Sequence, residues 1–289
     1  LYTRWAAGTN VYVRTFEDGI LKNDSIYRQD FKVAGKNIWG STSVPILKRH
    51  TPANRVTNLV FSLRYYQINY QKKPNAFLDP EEFYSDKNTY LASLGVNYIG
   101  YEQDRYIFRH KDIEDIPIGK SVALIGGFQD NIGHRTPYLG GQLRYGDYLS
   151  FGYFSGDIQL GSFLTQERNK QTTLRWEFTY FSPLFAIGNW HFRQFAKWRS
   201  VVGLSRKDFI KDRITLNGST GIIGFNSPTL TGIHKSILTL QTQSYSPFSL
   251  WGFRVSPFLM GDIGLIGNDN RNLMKDQVLT KVGIGFYIT

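Results

Sequence analysis

The sequence predicts an all-β protein: a transmembrane, antiparallel up-and-down β-barrel with one loop inserted in its lumen. Three observations predict it. Two-residue alternation of apolar and polar side chains recurs from one end of the chain to the other, while helical periodicity is scarce. The alternating stretches run to about ten residues, longer than a usual globular strand and matched to a tilted bilayer crossing. Aromatic residues make up 16% of the 289 positions and gather at strand ends, where the interfacial girdles of membrane barrels lie. A large sandwich or soluble barrel with aromatic-rich corners is the competing reading of the same pattern.

In chain order, strands are expected over residues 2–15, 59–71, 90–98, 121–130, 148–163, 172–181, 236–245, 253–265 and 282–288, within about a dozen overall. In 172–181, Leu174, Trp176, Phe178 and Tyr180 share one face, and Thr173, Arg175, Glu177 and Thr179 the other. In 253–265, Phe253, Val255, Leu259, Ile263 and Leu265 alternate against Arg254, Ser256 and Asp262. Val282, Ile284, Phe286 and Ile288 repeat the pattern opposite Lys281, Gly283, Gly285 and Tyr287, and Tyr90, Ala92, Leu94, Val96 and Tyr98 form another stripe. Each such strand has one face in apolar and one in polar surroundings. The expected girdle aromatics are Tyr65, Tyr66, Tyr180, Phe181, Tyr245, Phe248, Trp251 and Phe253. Short turns are expected at 181–184, 244–248, Gly140-Gly141 and Gly146-Asp147. Long polar loops are expected at 72–86, 105–120 and 207–235. Short turns at one rim and long loops at the other are the habit of bacterial barrels.

Composition narrows the function classes. The absence of cysteine excludes a disulfide framework, a thiolate metal site and a thiol nucleophile. No apolar run approaches the length of a membrane-spanning helix. The mean hydropathy of −0.31 suits a soluble protein and a membrane barrel equally, since half of each barrel strand faces a polar lumen. The net charge of +11 invites nucleic acid. The basic residues are spread along the chain without a run of like charge, so a lumen or a lipopolysaccharide-facing rim takes them as well. No nucleic-acid partner is expected.

Catalytic signals are weak. His50, His110, His134, His191 and His234 are scattered, without metal-ligand spacing. Glu81, Glu82, Asp112, Glu114 and Asp115 offer oxygen ligands that calcium could use, but a solvated face is the plainer reading. Gly126-Gly127 and Gly140-Gly141 lack the lysine and helix of a phosphate loop and read as bends. The expectation is no enzyme, no catalytic residue, no metal and no cofactor.

One segment stands apart from the strand pattern. Residues 207–235 carry Gly-Ser-Thr-Gly-Ile-Ile-Gly-Phe at 218–225. A loop of this length in one domain is usually functional or disordered. Ile222, Ile223 and Phe225 ask for burial, and Gly218, Gly221 and Gly224 permit close backbone approach. The expectation is a loop folded back onto a wall, which in a barrel is the lumen.

The stretch from Asp212 to Phe225 resembles the sixth-loop signature of the BamA/TamA superfamily of outer-membrane assembly barrels, a glycine-rich lead-in followed by Val/Ile-Arg-Gly-Phe/Tyr. The later Gly261-Asp262-Ile263-Gly264 resembles the family's Asp-x-Gly strand. The style of residues 1–15 and 36–46 is similar to versions found in Bacteroidetes. The resemblance implies a bacterial outer-membrane protein, of bacterial surface antigen type, that folds or inserts client barrel proteins, or translocates a passenger, through a lateral seam. It implies outer-membrane lipids, lipopolysaccharide, client proteins and accessory lipoproteins as partners. It also implies about sixteen strands in a longer protein, with residues 1–289 forming one barrel domain and terminal strands and POTRA domains lying outside them. In the family the loop arginine meets the aspartate of Asp-x-Gly. Here Ile223 stands at the arginine position, Asp262 and Gly264 mark the docking strand, and Arg213 is the candidate partner of Asp262. Two other readings remain: a passive porin or transporter, and a barrel anchoring a fused phosphoesterase or patatin-like domain.

Overall fold

The computed structural model describes residues 4–22, 25–48, 56–80, 82–107, 112–131, 133–165, 171–205, 213–227, 229–268 and 276–288. Among them the chain is all-β. Its wall is built from β1 (Trp5–Lys22), β2 (Ser25–Lys48), β3 (Val56–Lys72), β4 (Lys87–Arg105), β5 (Ile113–Asn131), β6 (His134–Leu149), β7 (Gly152–Phe163) and β8 (Thr172–Phe181). After a short β9 (Phe185–Ile187) the wall continues through β10 (Trp190–Leu204), β13 (His234–Tyr245), β15 (Phe253–Gly267) and β16 (Gln277–Ile288). Two-residue pieces complete the set: β11 (Ile214–Thr215) pairs β12 (Thr231–Gly232), and β14 (Ser249–Leu250) pairs β15. Every wall strand pairs antiparallel with its neighbour in sequence, an up-and-down sheet without crossovers. Among the described residues β1 pairs only with β2, and β16 only with β15.

The sheet is curled. From β4 to β13 is six strand steps, about 29 Å along the sheet. Yet the Tyr245 hydroxyl on β13 donates to the carbonyl of Ile107, just past β4, at 2.9 Å. The enclosed face is charged: Arg144 meets Asp157 at 2.7 Å and Lys197 meets Glu177 at 2.6 Å. The outer face is apolar and uncovered, with Leu124, Leu139, Leu160, Leu259 and Ile284 all exposed. A water-soluble domain puts these classes the other way round.

The outer faces expected in 90–98, 172–181, 253–265 and 282–288 are those observed. Three expectations are corrected. Gly140-Gly141 and Gly146-Asp147 are not turns; they lie inside β6, which turns only at Ser150 and Phe151. Residues 105–120 are not one long loop, because β5 begins at Ile113. The alternation misled there because it changes phase. Ile116 and Ile118 point inward, whereas Val122 and Leu124, of the same parity, point outward. Gly119, at φ 141°, absorbs the switch, since a Cβ there would lie 1.8 Å from the Tyr98 carbonyl oxygen. Third, Phe181 and Tyr245 are buried on the enclosed face rather than in a girdle. Phe248, Trp251 and Phe253 are exposed, and Phe248 meets Trp190 edge-on. Near the other rim Tyr90 stacks on Phe128 and meets Tyr65 at a tilt, an aromatic row across three strands.

Residues 73–80, 82–86, 213–227 and 229–233 lie at one rim, the first. Residues 106–107, the β6–β7 turn and 246–252 lie at the second. His50, His110 and Glu81 fall outside the described residues.

Candidate functional site

The site lies on the enclosed face near the first rim, where residues 213–227 and 229–233 fold back against β10, β13, β15 and β16. Its neck is the ladder of β11 and β12. Further in, the Asn217 side chain closes a ring: its Nδ2 donates to the Ser227 carbonyl at 2.8 Å, and its Oδ1 accepts from the Ser227 amide at 2.9 Å. Within the ring the amide of Ile222 donates to Leu216 at 2.8 Å, and that of Phe225 to Ile222 at 3.0 Å. Loop backbone groups removed from water must be satisfied in this way.

The glycines have different tasks. Gly218 and Gly224 take φ of 71° and 81°, a left-handed conformation that glycine adopts at little cost. Gly221 is a close approach: a Cβ there would sit 1.8 Å from the Leu216 carbonyl oxygen. Gly218 and Gly224 face open space, so they serve as turn residues, and of the three glycines only Gly221 makes the close approach.

Leu216 and Ile222 are the apolar foot of the loop. They are buried against Ile237 of β13 and Ile266 of β15, with Phe225, Leu230 and Leu279 packed around them. Gly264 makes room for this foot, since a Cβ on it would meet Ile222 Cδ1 at 2.7 Å. Ile222 is thus buried and Phe225 partly so, but Ile223 is 63% exposed, against the expectation of burial. Its neighbours Ile222 and Leu216 already fill the wall's apolar recess.

Charge holds the rest. Arg199 of β10 donates to the carbonyls of Ser219 and Gly221 at 3.1 and 3.2 Å. Lys235 of β13 donates to those of Thr215 and Thr220 at 2.9 and 3.1 Å. Lys281 of β16 donates to that of Ile223 at 2.8 Å. Three wall cations therefore bind the loop through its main chain. Hydrogen bonds from charged groups are stronger than neutral ones, and these depend little on the loop's side chains.

Asp262 is buried beneath the loop. It accepts from Thr239 Oγ1 at 2.6 Å, and Lys281 Nζ lies 3.9 Å away. The cation that the structure brings to Asp262 is Lys281; Arg213 stands at the neck, directly before β11. Sequence reasoning missed Arg199, Lys235 and Lys281 as site residues. The available signal was register: pairing β15 with β16 puts Lys281 opposite Asp262. His234 and Asp276, both buried, pair at 2.8 Å and tie the end of the loop to the start of β16. Among the described residues no cluster of metal-ligating side chains occurs.

No family model and no curated protein sequence matches this chain. Among solved structures it is similar to CdiB from Acinetobacter baumannii, at 14% identity and a TM-score of 0.42, over 98% of this chain and 53% of that one. It is also similar to CdiB from Escherichia coli, at 12% identity and a TM-score of 0.42, over 90% of this chain and 50% of the other. The chain thus spans about half the length of these structures.

Proposed function

We propose that this chain is the wall of a bacterial outer-membrane translocation barrel, related to the BamA/TamA superfamily, acting mechanically and not as an enzyme. One observation carries the reading. A glycine-rich loop is braced inside a curled sheet that is apolar outside and charged inside, and each end strand of that sheet has an edge unpaired among the described residues. Lipid does not tolerate exposed backbone hydrogen-bonding groups. The edges of β1 and β16 must therefore meet each other, a further strand, or a polypeptide in transit. A weakly closed edge of this kind templates an incoming strand by β-augmentation. The braced loop keeps the wall's shape while the edge is open. Outer-membrane lipids, lipopolysaccharide, client proteins and accessory lipoproteins are the partners this reading supplies.

The test uses the full chain refolded into phospholipid vesicles. Faster membrane assembly of an added, urea-denatured barrel protein, lost when Arg199, Lys235 and Lys281 are replaced together by methionine, is the expected result. Steady ion conduction without any effect on the client would put a passive pore in place of this reading. Failure to float with the vesicles would remove the membrane altogether.

A further inference from the structure

The second rim carries a different device. Beyond Ile99 and Gly119, which face each other, β5 leaves its ladder with β6 while staying paired with β4. The β5–β6 ladder ends at Gly119 and Gly146 although β6 runs on to Leu149, and among the described residues the β3–β4 ladder reaches Val56 and Ile99. Past that line the arms 100–105 and 113–118 pair only with each other among the described residues. They do not continue the wall; they cross the enclosed face.

What holds them there comes chiefly from β10 and β13, with help from β6 and β7. Arg193 of β10 is buried, and its guanidinium donates to the first arm: to both Asp104 carboxylate oxygens at 2.9 and 3.4 Å, and to the Arg105 carbonyl at 3.1 Å. Tyr148 of β6 donates to Asp104 at 2.9 Å. Tyr245 of β13 donates to the carbonyls of Tyr106 and Ile107. Tyr106 stacks on His191 at 5.3 Å. Ile107, Ile116 and Ile118 are buried against Tyr153 and Phe181. Packing beneath the arms is incomplete, with a cavity of about 400 Å³ between Ile107, Ile116 and the wall at Lys197 and Gln243.

We propose that the β4–β5 arms are a gate over the second rim, hinged at the line of Ile99 and Gly119 and latched by Arg193 and Tyr245. The proposal rests on the reading of the wall as a membrane barrel around a lumen. A hinge needs a few residues that absorb a backbone change at an element's edge, and Gly119 stands at that place with the φ of 141° that reverses the strand's facing. A latch needs contacts that are lost together, and the arms' links to β10 and β13 join segments far apart in sequence.

The experiment compares the full chain with Tyr245→Phe, Arg193→Gln and the charge exchange Asp104→Arg with Arg193→Asp. Amide hydrogen exchange in detergent micelles reads the latch directly. Tyr245→Phe and Arg193→Gln should speed exchange in 100–107 and 113–118 about tenfold or more, leaving 120–131 unchanged, and the charge exchange should restore protection. Ion conductance across vesicles carrying the same variants should rise several-fold and return with the charge exchange. Unchanged arm exchange, or equal loosening of the whole sheet, would overturn the gate. So would faster arm exchange with unaltered conductance in a chain that inserts. If the chain does not insert, the membrane reading has failed, and the micelle exchange alone decides whether the hinge and latch exist.

Discussion

Two segments lie inside the curled sheet; both are held through main-chain carbonyls, and one of them adds a buried charge pair. The loop at the first rim, residues 213–227 and 229–233, offers mainly backbone to its wall, which answers with the side chains of Arg199, Lys235 and Lys281. The arms 100–107 and 112–118 at the second rim also offer a carboxylate, and their main charged link is the Asp104–Arg193 pair. A clasp on main-chain carbonyls survives most changes in the loop's side chains. A clasp on a charge pair fails when either partner changes. The loop is built as a fixture and the arms as a part that can let go.

The largest effect is expected where the loop has no room to yield. Gly221→Ala places a Cβ against the Leu216 carbonyl, which is backbone and cannot step aside. The turn carrying Ile222 into its recess then opens, at a cost on the order of 3 kcal/mol. Limited proteolysis should show new cleavage within 213–233, with the arms at the second rim unaffected. Cleavage at both rims would mean that the two segments are one cooperative unit, and the comparison would break.

Arg193→Ala comes next. Breaking a buried ion pair costs about 3–5 kcal/mol. Here Asp104 is 26% exposed and keeps Tyr148 and the Arg105 amide, so about 2 kcal/mol is expected. The measurement is the urea midpoint of the refolded protein, read with fluorescence from the aromatics around Phe181. The first-rim loop should keep its protease resistance.

How far the sequence announced each segment follows from the same physics. The strand faces were legible because period two survives wherever one side of a strand is apolar and the other polar. The loop was legible because glycines crowd around Ile222 and Phe225 where no strand pattern runs. The arms were not legible. The phase change at Gly119 cuts β5 into two alternations that do not join, and residues 113–118 then read as loop. The three wall cations were hidden for another reason. A lysine on the polar face of a strand looks the same whether it meets water or a carbonyl, and only register and curl place Lys281 over Ile223.

A smaller effect sharpens the contrast at the foot of the loop. Gly264→Ala would put a methyl 2.7 Å from Ile222 Cδ1, the far end of a flexible side chain. Ile222 can turn away, so a loss of about 1–2 kcal/mol is expected, of the size of ordinary overpacking. Thermal unfolding should register it. Adding Ile222→Val to the same protein should return part of the loss, since the branch that collides is then shorter. Losses that simply add would show that the foot does not rest on Gly264.

The smallest effect is the most discriminating. Ile223→Arg puts an arginine at the position where the resembled signature carries one. If the loop needed a side-chain lock on Asp262, the variant would be more stable. The geometry argues otherwise. The Ile223 side chain is largely exposed, and Asp262 already has Thr239 and Lys281 beside it. A second cation next to Lys281 adds repulsion about as large as the attraction it gains, so the change should stay within about 0.5 kcal/mol. Removing Lys281 should change that balance. With Lys281→Met, Asp262 is left buried with only a hydroxyl donor, and the arginine at 223 should then recover stability that the single Lys281→Met change loses. A full double-mutant cycle measures this as a coupling between the two positions. A coupling near zero would mean that the Asp262 site does not choose between a cation on the wall and one on the loop, and Lys281 would be bracing the Ile223 carbonyl alone.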